Sequence, residues 1–102
     1  MIEFQYFKGC PHAKDTLQNL HKVMAEVGIG KNDLQITDVP DAEYAQKITF
    51  QGSPTILING ADIYTGVKPL AFSYSCRVYE FDGHHTGVIP EELIRAKLIK
   101  YE

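Results

Sequence analysis

Between Tyr6 and Ala13 the hydrophobic period of the chain changes from two residues to about 3.6, and Cys10 falls on the change. Ile2, Phe4 and Tyr6 alternate with Glu3 and Gln5, which predicts a strand over Ile2–Phe7. Beyond Cys10, residues Ala13, Leu17, Leu20, Met24 and Val27 recur at helical spacing, marking one face of a helix that ends at Gly28. A strand running into an amphipathic helix commits both to a shared core, with the helix packed on a sheet. The same junction places Cys10 at the first turn of the helix, where unpaired N–H groups and the positive end of the macrodipole favour thiolate over thiol. Pro11 suits the first helical position, because it has no N–H to lose there and its φ is already helical.

The rest of the chain continues the pattern. Leu34–Val39 alternates as a strand and is stopped by Pro40; a short helix follows, capped by Asp41 and carrying Tyr44, Ala45 and Ile48. Thr55–Ile58 is an apolar run, rich in β-branched residues, closed by the turn pair Asn59-Gly60. Cys76–Phe81 is predicted as the next strand, turned by Asp82-Gly83. The last helix opens with Pro90, Glu91 and Glu92 at its positive end and finishes near Lys97 and Lys100. The order is βαβαββα, a central mixed four-stranded sheet with helices on both faces.

With 102 residues, the chain is expected to form one domain over 1–102. Scattered Lys and Arg and a net charge of -3 give no basic face for a nucleic acid. No run is apolar for the length of a membrane helix, and Met1–Phe4 does not begin a leader, so no membrane partner and a cytoplasmic location are expected. Two cysteines, 66 positions apart, are too few for a secreted disulfide scaffold. Neither a Gly-x-Gly-x-x-Gly turn nor a phosphate loop occurs, which argues against nucleotide and flavin cofactors, and none of any kind is expected. His84 and His85 follow Asp82-Gly83 as an exposed turn with no spaced ligand set, so no metal is assigned.

A Gly-x-Pro-Thr step, Gly52-Ser53-Pro54-Thr55, leads directly into the Thr55–Ile58 strand. Together with Cys10 at a strand-to-helix junction, it resembles the thioredoxin-like superfamily. Cys10-Pro11-His12-Ala13 stands in the place of that family's Cys-x-x-Cys motif, with Ala13 replacing the second cysteine. With Ser75-Cys76-Arg77-Val78-Tyr79, the chain is similar over nearly its whole length to small bacterial thioredoxin-fold proteins described as alkylmercury lyase-like. The resemblance implies a cis Pro54 beside the active cysteine and a Ser53 backbone ready to pair with an extended thiol-bearing substrate. It assigns substrate-binding positions to Pro11, His12, Ser53, Pro54 and Thr55.

Thiolate attacks disulfides, peroxides and soft metals. Because Ala13 cannot resolve a mixed disulfide, resolution falls to glutathione, another protein or Cys76, so a protein or a low-molecular-weight thiol or disulfide is the expected partner. Cys10 and Cys76 can bond if their Cα atoms come within about 4.4–6.8 Å. The resemblance implies a thioredoxin-like hairpin in which the start of the last strand lies away from the motif, whereas the long Gly60–Ser75 connection can bring it near. That connection carries Tyr64, Phe72 and Tyr74, and reads either as a lid or as a cover for one sheet face. Bland readings stand beside these: Cys10 and Cys76 as small buried fillers, and His12 and His21 as solvated helix residues. Three functions from different classes follow. One is a thiol–disulfide oxidoreductase with Cys10 as nucleophile and Cys76 as its internal partner. The others are a soft-metal or organomercury handler using both thiols, and a non-catalytic binding module.

Overall fold

The alternation of Ile2, Phe4 and Tyr6 becomes β1 (Ile2–Tyr6), which lies inside a four-stranded sheet ordered β2-β1-β3-β4. The computed structural model describes residues 1–101; Glu102, the last residue of the expected domain, lies outside them. On one side β1 pairs in parallel with β2 (Leu34–Asp38), and on the other in antiparallel with β3 (Thr55–Ile58). A parallel neighbour requires a crossover. Helix α1 (Ala13–Val27) and a 3₁₀ turn at Lys31–Asp33 supply it.

Helix α1 ends as its sequence indicates. Gly28 takes a left-handed φ of 80°, and the N–H groups of Gly28 and Ile29 bond back to Ala25 and Met24, closing the last turn. Its Leu20, Val23 and Met24 join Ile2, Phe4 and Ile56 of the sheet and Ile94 and Leu98 of α3 (Glu91–Leu98) in the main core. The approach to α3 is clipped to α1: the Thr16 hydroxyl accepts from the Ile89 N–H at 3.1 Å, and the Asn19 amide donates to the Ile89 carbonyl at 3.0 Å. Helix α2 (Ala42–Ile48) opens where Asp41 accepts from the Tyr44 N–H at 2.8 Å. Its Ala45 packs with Val39 and Phe50 in a separate, smaller cluster flanked by Phe7.

The fourth strand differs from expectation. It is β4 (Ala61–Asp62), antiparallel to β3, and not Cys76–Phe81. Asn59 and Gly60 have φ values of 51° and 87°, so the turn is tight and the chain pairs with β3 immediately after it. Only Tyr79–Phe81 of the expected strand is regular, and this β5 pairs with β6 (His84–Thr86) across Asp82-Gly83 in a hairpin of its own. The order is therefore βαβαββββα. His84 and His85 are exposed on β6, with His85 facing Glu80 at 3.3 Å.

Candidate functional site

Cys10 ends a turn in which its N–H donates to the Phe7 carbonyl at 3.3 Å, and its half-buried side chain packs against the main core. Its own carbonyl accepts from Ala13 at 3.5 Å. Pro11 and His12 are therefore the middle of a second turn, and α1 begins only at Ala13 with His12 as its N-cap. The expectations that Cys10 lies in the first turn of the helix and that Pro11 occupies the first helical position are corrected: Cys10 precedes the N-cap by two residues with its N–H bonded to Phe7, and the fixed proline φ serves a turn as well as a helix. Pro11 is exposed. The His12 ring lies against the backbone of Gly87, where an added Cβ would come 2.1 Å from its Cδ2. No other residue type leaves that space for the imidazole.

The opposite wall is Gly52-Ser53-Pro54, with the Ser53–Pro54 peptide cis and Gly52 at a φ of 117°. Ser53 is fully buried and its hydroxyl accepts from the Phe7 N–H at 3.4 Å, tying this wall to the turn that carries Cys10. Thr55 is fully buried too, donating to the Gly52 carbonyl at 2.6 Å. The Pro54 carbonyl accepts from the buried Tyr79 hydroxyl, and burial drives the Tyr79 phenol's pKa far up, so it stays protonated as donor.

Against this wall runs the end of the long connection. The Ser53 N–H donates to the Ser75 carbonyl at 2.9 Å, and the Arg77 N–H donates to the Ser53 carbonyl at 2.8 Å. These two bonds bracket Cys76 and pair it with Ser53 as a single parallel bridge. The segment approaches closely because Gly52 has no side chain: a Cβ there would lie 3.0 Å from the Ser75 carbonyl oxygen. Cys76 is exposed as a residue, yet its thiol is held above the usual cysteine pKa by partial desolvation, then by the Cys10 thiol. Both cysteines thus border Ser53, Cys76 through its backbone and Cys10 through the turn that the Ser53 hydroxyl holds. Of the sequence-predicted site, Cys10, Ser53 and Cys76 come together, while Pro54 and Thr55 serve as scaffold.

Two anchors hold this segment, Ser73–Arg77, as a strap, and the partners of both escaped the sequence reading. Arg77 makes a bidentate pair with Asp62, at 2.7 and 2.8 Å, and also donates to Thr55 at 3.1 Å. Its guanidinium sits 4.7 Å from the centroid of the Tyr79 ring. Burial raises the Asp62 pKa, but the Arg77 hydrogen bond, the Thr65 N–H and the Arg77 charge together outweigh it and hold the carboxyl below its ordinary value. At the other end Ser73 donates to the Phe50 carbonyl at 2.7 Å, and the Tyr74 hydroxyl to the Val39 carbonyl at 3.2 Å. The Tyr74 ring packs between Phe7 and Phe50. No periodicity marks these partners, which lie 15 and 35 positions apart.

Compared with known proteins, the chain matches no family model, no curated protein and no solved structure.

Proposed function

We propose that this is a thioredoxin-like thiol–disulfide exchange protein in which Cys10 attacks and Cys76 resolves. The observation that carries the reading is the bracket around Cys76, two backbone bonds to Ser53, whose hydroxyl is in turn bonded to the turn that carries Cys10. The strand order β2-β1-β3-β4, a helix following the β1–Cys10 segment and a cis proline entering β3 support the thioredoxin-like arrangement. The roles follow from asymmetry. A thiol held above its usual pKa is a poor nucleophile near neutral pH, which leaves Cys10 as the attacking sulfur. Ala13 supplies no second motif thiol, and Cys76 takes that part from the strap. Two cysteines are too few for a secreted disulfide scaffold, so the cytoplasm is the proposed setting.

The test is intact-mass analysis and peptide mapping of reduced protein exposed to oxidised glutathione or to dilute peroxide. The expected product is a Cys10–Cys76 disulfide, and Cys76→Ser stops the glutathione reaction at an adduct on Cys10. The reading fails if neither cysteine reacts faster than in the denatured chain.

The same adjacency supports a second reading, a soft cation held between two thiolates in near-linear geometry. Among the described residues no group of three potential ligands exists, so such a site stops at two sulfurs. Titration with mercuric ion tests it: one ion per chain is expected, lost in Cys10→Ser and in Cys76→Ser alike.

A further inference from the structure

We infer that the disulfide consumed at Cys10 belongs to a small molecule and not to an extended polypeptide, because the strap Ser73–Arg77 already fills the backbone edge beside it. This inference rests on the exchange reading above and narrows it. A polypeptide that docks by strand addition needs an unpaired N–H and C=O to pair with. Ser53 has neither free: its N–H is given to Ser75 and its carbonyl to Arg77. The occupant is also fixed at both ends, by the buried Arg77–Asp62 pair and by the Tyr74 ring and hydroxyl. A peptide must displace all of this to reach Ser53. A small reactant need not, since Cys10 is only half-buried and Cys76 is exposed.

The reaction balances without a further component. Cys10 thiolate attacks one sulfur of a low-molecular-weight disulfide, forming a mixed disulfide and releasing one thiolate, which takes up a proton. Cys76 gives up its proton to solvent and attacks the Cys10 sulfur, forming Cys10–Cys76 and releasing the second small thiol. Two electrons pass from the protein's thiols to the small disulfide, and excess small thiol reverses both steps.

The test measures rates of Cys10 modification in the full chain by oxidised glutathione and by the homodisulfide of an extended cysteine peptide. Each rate is normalised to that reagent's rate with a simple reference thiol. Oxidised glutathione is expected to lead by about tenfold or more, the equilibrium weight of the two backbone bonds a peptide must first break. The gap is expected to narrow in Arg77→Met, or in Tyr74→Ala where Arg77→Met does not fold. A peptide that reacts as fast as glutathione in the parent protein overturns the inference while leaving the exchange reading intact. So does a gap unchanged in the folded variants. If neither reagent outpaces the denatured chain, both fall.

Discussion

Replacing Arg77 by methionine removes one half of a buried ion pair and leaves the other half in place. Asp62 has no exposed side-chain surface and Arg77 only 12%. Removing one partner of such a pair costs about 3–5 kcal/mol, because the remaining charge stays buried without compensation. Asp62 keeps the N–H groups of Tyr64 and Thr65, at 3.2 and 2.8 Å, which moves the expectation to the lower end, about 3 kcal/mol. At about 4–8 °C per kcal/mol for a domain of this size, Arg77→Met melts about 12–24 °C below the parent. Adding Asp62→Asn removes the stranded charge yet keeps an oxygen for the Thr65 N–H. The double variant is therefore expected to recover about 2 kcal/mol. Urea unfolding of the parent, both single variants and the double variant, with the slope checked for constancy, provides the cycle. A loss below about 1 kcal/mol in Arg77→Met, or no recovery on adding Asp62→Asn, refutes the claim that the strap is anchored by a buried charge pair.

Other consequences are open to direct measurement. Because the folded-state pKa of Asp62 is depressed, its stabilising contribution is present in full above the ordinary carboxylate value, about 3.9, and is lost as pH falls through the folded value. Urea midpoints measured down an acid series are expected to fall less steeply in Asp62→Asn than in the parent. With its thiol pKa raised, Cys76 is expected to alkylate more slowly at neutral pH than an ordinary exposed cysteine. Mass-resolved iodoacetamide profiles are expected to place its midpoint lower in Cys10→Ala, where the neighbouring thiol is absent. Thr16→Val leaves the buried Ile89 N–H without its acceptor, a loss of about 1–3 kcal/mol in urea unfolding. Gly87→Ala drives a methyl group into the His12 ring and is expected to cost about 1–3 kcal/mol, most of it absent in a His12→Ala background.

Much of the scaffold was legible because it is written in short-range patterns. The alternation in β1, the apolar face of α1, the Gly28 stop and the Asp41 cap each depend on residues within one or two turns, and each appears where expected. The fourth strand was not legible in this way. With two residues, β4 is too short to show a period, and only the Asn59-Gly60 turn announced it. The expected position of Pro11 failed because one fixed dihedral satisfies two local structures. The meeting of Cys10 and Cys76 lay beyond the sequence for a different reason. It depends on where a sixteen-residue connection from Gly60 to Ser75 comes to rest, and that is decided by single long-range contacts from Tyr74 and Arg77.

The two sulfurs are 66 positions apart along the chain, which gives their union a thermodynamic weight that a Cys-x-x-Cys pair lacks. Joining them ties most of the polypeptide into one ring, and the loss of freedom in the unfolded ring is equivalent to about 4 kcal/mol. The oxidised protein then unfolds at higher temperature than the reduced one. By the same cycle, the proposed disulfide, once formed, is held about a thousandfold more firmly by the native chain than by the unfolded chain. Conformational stability and redox state become two readings of one equilibrium, so conditions that loosen the fold also favour its reduction.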